Sequence, residues 1–465
     1  MISETNPNMK SQSAFLSRRN FLRQTAVSTI ALGAAPLIVP GSALGLNGQR
    51  PPSSRVSLGC IGVGERGTEV MNHFLRQADC RVRAVCDVNQ ERAAEAKALV
   101  DTKNQDSDCL AGGDFRRLLE RDDIDAVLIA SPDHWHVLHA LAAVDAGKDL
   151  YVEKPLGLSL EEGRILRKQV LRRRRIFQFG TQQRSDRKFR VACELVRNGY
   201  IGELKHINIW APASTPGGST RQVSPPAALD YDFWLGPARN RPYTENLTAR
   251  GWAKTWWFNS DFAIGFLAGW GIHPLDIALW GGGELTSGKV DVSGTGTFPT
   301  EGACDTAIAW DVDLKFSRGL TMKFVSTPNG SKDKFIQQQE WSSRYGQLDT
   351  HGTAFEGTKG WVHVDRSRIQ VNPPDLIDLD PKTFNEKLVY SPDHAQGFLT
   401  SVKNRQPTVS DIESAVLADA FCHISDIAIR LKRKLTYDVL AEKFSGDREG
   451  NQRLRLRPAR KPWKF

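Results

Sequence analysis

The sequence predicts an α/β protein of two domains behind an N-terminal leader, and three observations carry that prediction. Residues 55 to about 182 alternate apolar, β-branched runs with helical stretches, the pattern of a mostly parallel sheet covered by helices on both faces. A glycine turn, Gly62-x-Gly64-x-x-Gly67, joins the first of those runs to the first helix. From about residue 183 the strand-like runs cluster instead of alternating, which points to a second domain on an antiparallel or mixed sheet. A length of 465 residues leaves an ample core for each domain.

The turn is the organising element. Gly62 permits the sharp bend, Gly64 lets the backbone approach a pyrophosphate, and Gly67 lets the helix pack close to its strand. Glu65 and Arg66 sit inside it, where the helix presents its free N–H groups to phosphates. A second run, Arg81 to Cys86, ends at Asp87, about 20 residues past Gly67, where a ribose-binding acid belongs. A carboxylate there accepts from ribose hydroxyls and repels a 2′-phosphate, favouring NAD; Arg66 and Arg92 leave NADP open. The competing reading is another α/β domain with a coincidental glycine turn.

The remaining elements follow in order. Gln90–Val100 reads as a helix, residues 114–119 as a short amphipathic one, and Ile124–Ala130 as a buried strand ended by Ser131-Pro132-Asp133. A helix over His136–Ala146 is closed by Gly147. The strand Asp149–Val152 precedes a helix over Ser159–Arg174, opened by a capping box of Ser159 and Glu162, and Ile176–Phe179 is the last strand of the set. The second domain begins with a helix at Arg187–Arg197 and a strand at Lys205–Trp210. Residues 212–262, rich in Pro, Gly and Trp, read as a long functional loop. A helix within Leu267–Trp280 leads to strands at Val290–Phe298, Ala307–Phe316, Leu320–Ser326 and Gly360–Val364, and to helices at Ala395–Lys403 and Ile412–Leu431. Domain bounds are 53–182 and 183–440, with 441–465 as a basic tail.

Composition is that of a globular protein, 40% apolar and 25% charged. The net charge of +9 is partly carried by the two ends of the chain. Basic residues are not interleaved with aromatics, so a solvated basic face outranks a nucleic-acid surface. Seven scattered cysteines form no CxxC pair and indicate neither a disulfide framework nor a zinc site. Asp133, His134 and His136 suggest a metal only weakly; the rim of the sheet is the stronger reading, and no metal is expected.

Residues 1–45 read as a leader. Ser17-Arg18-Arg19-Asn20-Phe21-Leu22-Arg23 matches the twin-arginine export pattern, and Gly41-Ser42-Ala43 resembles a cleavage site. Pro36 and Pro40 break the intervening run, which argues against a lasting membrane span. Export in the folded state to the periplasm suits an enzyme that acquires a nucleotide in the cytoplasm.

The strand Asp149–Val152 runs into Glu153-Lys154-Pro155, and ligands of open α/β sheets bind beyond the carboxyl ends of the strands. Position alone divides Lys154 evenly between a proton-handling site lysine and a strand-end surface lysine. A wider set of motifs adds weight. Gly-Val-Gly-Glu-Arg-Gly (62–67), Ser-Pro-Asp-His-Trp-His (131–136), Glu-Lys-Pro-Leu (153–156) and Gly-Thr-Gln-Gln-Arg (180–184) stand with Leu229–Pro237, Trp270–Ala278 and the His394 segment. Together they resemble the Gfo/Idh/MocA oxidoreductases over nearly the whole chain after the leader.

The resemblance implies a Rossmann domain followed by an α/β domain with a large open sheet, mostly antiparallel, that often mediates homo-oligomerisation. It also implies a nicotinamide cofactor and a carbohydrate or cyclitol substrate. The family lysine maps onto Lys154 and the family histidine onto His273, while the aspartate four residues before that histidine is Gly269 here. Asp276, one helical turn after His273, is a candidate to orient the imidazole. Ser131, Pro132, His134 and Glu153 are placed beside the cofactor, and Gln182, Arg184 and Trp270 beside the substrate. Trp252, Trp256 and Trp257 are open between core and sugar platform. Three functions follow: an exported oxidoreductase with a recycled cofactor, a glycosidase working through transient oxidation and elimination, or a non-catalytic sugar-binding protein.

Overall fold

A computed structural model of the protein describes residues 54–251, 255–327 and 336–465. The expected leader and Trp252 lie outside the described residues. Two sheets organise the rest. The first has six parallel strands in the order β3-β2-β1-β4-β5-β6. These are β1 (Val56–Ile61), β2 (Cys80–Cys86), β3 (Leu110–Gly112), β4 (Ala126–Ile129), β5 (Asp149–Val152) and β6 (Phe177–Phe179). The order reverses between β1 and β4, so the loops after these strands open the crevice where a ligand binds.

The helices between the strands form where the sequence supplies caps. Asn89, Asp114 and Ser159 each accept a backbone N–H at the start of a helix. Ser159 and Glu162 form the expected box in a shifted form, because the Glu162 carboxylate reaches back to the Leu158 N–H at 3.1 Å. The helix after β4 starts at Asp133, three residues before the apolar pattern begins, because Pro132 fits a helix entrance.

The second sheet has nine strands in the order β13-β12-β11-β7-β10-β9-β8-β14-β15. The strands are β7 (Leu204–Pro212), β8 (Lys289–Thr297), β9 (Ala309–Phe316), β10 (Thr321–Thr327), β11 (Gly352–Gly357), β12 (Trp361–Val364), β13 (Ile369–Asn372), β14 (Leu435–Asp438) and β15 (Lys443–Phe444). All pairs are antiparallel except β7 with β10. The fold is therefore a Rossmann layer plus a large, mostly antiparallel sheet. Among the described residues no helix is long and apolar enough to cross a membrane.

Three placements depart from the linear division. The helix His394–Asn404 packs Phe398 and Leu399 into the core formed by Phe74 of the helix Glu65–Leu75 and Tyr151 of the first sheet, so the Rossmann core takes a late helix. The helix expected within Leu267–Trp280 is two, Phe266–Gly269 and Ile272–Gly282. The last 25 residues are no loose basic tail. They add β15 and a short helix, Arg448–Arg453, and then return to the Rossmann layer. There Trp463 packs edge-on against Trp135 at 4.6 Å and Phe233 at 5.4 Å. Burying that indole fastens a strongly charged segment down.

Candidate active site

The crevice above β1 and β4 is lined by the glycine turn, Asp87, Ser131-Pro132-Asp133, Glu153, Lys154 and part of the long loop. Its floor excludes side chains. Gly62 has φ +81°, and a Cβ there would collide with the backbone of Ser131. A Cβ on Gly67 would collide with the Gly62 carbonyl. Above Gly64 there is open space, with the Arg92 guanidinium 3.7 Å from an added Cβ. A bare backbone beneath a helix N-terminus suits the pyrophosphate of a dinucleotide. Asp87 lines the crevice and accepts the Val63 and Asn89 N–H groups at 3.0 and 2.9 Å. Burial raises its pKa, against the pull of those donors and Arg92.

The long loop forms the crevice's other side. Asp230 N–H donates to Val88 O at 3.0 Å, Gln90 N–H to Ala228 O at 2.8 Å, and Arg92 Nη2 to Thr248 O at 2.6 Å. Gly251 N–H donates to the Glu65 carboxylate at 3.0 Å. Residues 228–251 thus strap the mouth of the nucleotide crevice, and Glu65 serves the strap.

Lys154 stands where the two domains meet. Its Nζ donates to the Gly269 carbonyl at 2.9 Å and lies 5.1 Å over the Trp257 ring. Burial lowers its pKa, against the attraction of Glu153. Glu153 accepts Arg66 Nη2 and Gln182 Nε2, both at 2.9 Å. Burial opposes its charge, but Arg66 and Lys154 outweigh burial and hold its pKa below the ordinary value. The Gly269 carbonyl ends the helix Phe266–Gly269 just before the His273 helix, so Lys154 and His273, which repel electrostatically, share a site. His273 is buried, and its Nδ1 has no hydrogen-bond partner among the described residues. Burial first, then Lys154 and Arg366, drive its pKa well below 6.5 and keep it neutral. Trp270 lies edge-on to His273 at 6.1 Å.

Gly269 explains the missing aspartate position. A Cβ there would sit 2.5 Å from the Trp257 indole. The indole fills the space into which a carboxylate would project.

Several expected site residues are turned elsewhere. Arg184 and Asp276 form a buried bidentate pair at 2.7 and 2.6 Å, so Asp276 is taken by the guanidinium and does not orient His273. Gln182 braces Glu153 and Tyr151 from behind. His134 is buried against Trp234 and Phe262, with Nε2 3.0 Å from the Trp234 carbonyl. It is withdrawn from the crevice because the helix begins at Asp133, which turns Asp133, Trp135 and His136 to the crevice instead. Sequence reasoning missed Asp133, whose Oδ2 is buried without a hydrogen-bond partner, and Arg366, whose guanidinium lies over Trp270. The Ser-Pro-Asp motif signalled the first; nothing local signalled the second.

Comparisons with known proteins agree with this geometry. Residues 56–181 match the oxidoreductase family Gfo/Idh/MocA, NAD-binding Rossmann fold. A glycosyl hydrolase family 109 protein of Shewanella sp. (strain W3-18-1) is 33% identical over 183 residues, 38% of this chain and 39% of that protein. An α-N-acetylgalactosaminidase of Shewanella oneidensis is 31% identical over 205 residues, 41% of this chain and 44% of that protein. The match thus spans about two-fifths of the length of these curated relatives. The scyllo-inositol dehydrogenase of Lactobacillus casei, solved with NAD(H) and scyllo-inositol, shares the fold at TM-score 0.55 and 17% identity, covering 82% of this chain and 99% of that one. The glycine turn, the reversed strand order and this match together identify residues 56–181 as an NAD-binding Rossmann domain similar to that of the Gfo/Idh/MocA oxidoreductases.

Proposed function

We propose that the protein is an exported, NAD-dependent oxidoreductase acting on a hydroxyl-bearing carbon of a sugar, glycoside or cyclitol. The observation that carries this reading is the half-buried Lys154 ammonium, tied to the Gly269 carbonyl beside a neutral His273 imidazole whose Nδ1 has no partner among the described residues. Bound NAD supplies a hydride acceptor. His273, neutral and with a bare Nδ1, takes the proton of the substrate hydroxyl. Lys154 donates a hydrogen bond to the same oxygen and stabilises the negative charge that grows there. Trp257 and the strap border the crevice, where they would shield the reacting atoms from water once substrate is bound.

The strap also suits a cofactor held through turnover, since its hydrogen bonds to Glu65, Val88, Gln90 and Arg92 must open for exchange. A retained cofactor requires each oxidation to be balanced by a reduction in the same site. Two facts favour a second reading, a glycosidase that oxidises, eliminates and reduces in one cycle: the names of the Shewanella relatives and the glycine at position 269. Periplasmic export by the twin-arginine leader and homo-oligomerisation belong to the same proposal; fractionation and light scattering test them.

The test is spectroscopic. The purified protein should carry NAD and change its absorbance near that of the reduced nicotinamide when a substrate sugar is added. Lys154→Ala should lower turnover by roughly 100- to 10,000-fold while leaving the nucleotide bound. Released oxidised sugar supports the first reading, and bond cleavage without net oxidation the second. Absence of bound or bindable nucleotide leaves only a sugar-binding protein.

A further inference from the structure

The hairpin joining β12 to β13 carries Arg366, a residue outside the nucleotide crevice. Its guanidinium lies over Trp270, 5.2 Å from the ring centroid. Trp270 also lies against His273 at 6.1 Å and His351 at 5.4 Å. The guanidinium is thus anchored on the aromatic wall beside the reacting imidazole.

The other cations of the site are all hydrogen-bonded or ion-paired. Arg66 is paired with Glu153 and Glu69, Arg184 with Asp276, Arg92 donates to Thr248 O, and Lys154 donates to Gly269 O. Arg366 makes no hydrogen bond or ion pair among the described residues. Carboxylates close in sequence or in charge are already engaged. Asp365 accepts the N–H groups of Ser367, Arg368 and Asp349, and Asp349 accepts from Thr350 N and Ser367 Oγ. The guanidinium is exposed, lies over an indole and has no hydrogen-bonded carboxylate among the described residues, so its donor fork is free for an anionic group that enters from solvent. Partial burial and then the repulsion of Arg66 lower its pKa, against the weaker attraction of Asp349 and Glu69.

We propose that the substrate of this site is an acidic saccharide, whose carboxylate, sulfate ester or phosphate ester docks on Arg366 while its ring hydroxyl meets Lys154 and His273. The planar fork matches two oxygens of any of these groups. The pyrophosphate of NAD is not the anion in question, because Arg366 does not line the crevice that holds the glycine turn. The inference rests on the reading of Lys154 and His273 as the reacting pair.

Calorimetry on the NAD-loaded protein tests it with glucuronate, galacturonate, galactose 6-sulfate and glucose 6-phosphate against glucose and galactose. At least one acidic sugar should bind tenfold or more tighter than its neutral parent, and the gap should shrink with salt. The preferred arm identifies carboxylate or ester as the source of the charge. Arg366→Gln should abolish the preference, a loss of about 10- to 100-fold in affinity for the acidic sugar, while leaving NAD affinity unchanged; Arg366→Lys should retain part of it. Equal binding of neutral parents, silence of every acidic sugar, or a preference that survives Arg366→Gln overturns the inference while leaving NAD chemistry intact. Loss of NAD affinity in Arg366→Gln also overturns it, by assigning the guanidinium to the cofactor. A wild-type protein that binds no NAD sinks the reading of function beneath it as well.

Discussion

The two walls of the active-site cleft are built by different rules. The nucleotide wall is backbone: three glycines, a helix start and one strand-end aspartate, all within 26 residues of Gly62. The opposite wall is side chains: Trp257, Trp270, His273, His351 and Arg366, gathered from a loop, a split helix and two strand edges. The first wall is specified locally and leaves no room for a Cβ at Gly62 or Gly67. The second is specified by packing, so a change at one position is absorbed at another. Gly269 and Trp257 show this: the indole occupies what the glycine vacates and serves as the ring beneath the Lys154 ammonium.

The local wall should break hardest. Gly67→Ala drives a methyl into the Gly62 carbonyl, and only a backbone shift in the turn relieves it. NAD affinity should fall at least about 100-fold, because misplacing the amide donors removes charge-assisted bonds of roughly 1.5–3 kcal/mol each. Nucleotide titration by tryptophan fluorescence reads this directly. Unchanged affinity would show that the turn does not hold the pyrophosphate.

The packed wall should respond in pairs. Gly269→Asp alone sets its side chain against the indole 2.5 Å away and should cost about 1–3 kcal/mol by overpacking. Combined with Trp257→Ala, the cost should be largely recovered, giving a coupling energy of at least about 1 kcal/mol in denaturant unfolding. Strict additivity would deny that the two positions share one space.

The same contrast decides what was legible in the sequence. Strand alternation and the Gly62–Gly67 spacing reveal the Rossmann layer and its NAD-binding turn, because both arise from neighbours in the chain. The clustered runs at Val290–Ser326 reveal the second sheet, although the short strands Gly352–Gly357, Ile369–Asn372 and Leu435–Asp438 carry too little pattern to stand out. Asp276 looked available to His273 because helical spacing shows neighbours on one element only. Arg184, 92 residues away, claims it instead. His134 was misplaced for a related reason: a three-residue error in a helix start rotates its face. Trp463 and Arg366 carry no local signal, since their roles are made by contacts across the fold.

The effect that shows only as a change with pH lies behind the local wall, at Glu162. Its carboxylate is buried beneath the loop that follows Lys154 and accepts the Leu158 N–H at 3.1 Å. Burial pushes its pKa up to about 7 from the ordinary 4.5, against the pull of that N–H and of Arg457. A carboxyl whose folded-state pKa is raised costs stability fully above about 7, and the cost disappears as pH falls towards 4.5. The shift corresponds to a cost of about 3 kcal/mol at high pH. Glu162→Gln keeps an acceptor for Leu158 and removes the titration, so wild type should gain on the variant by up to that amount between pH 8.5 and pH 5. Every other titrating group cancels in the difference, including the buried histidines that destabilise both proteins at low pH. Urea unfolding of the two proteins across that range gives the measurement. Parallel curves would mean that Glu162 is ionised at little cost, with Arg457 acting as its counter-ion across the buried gap.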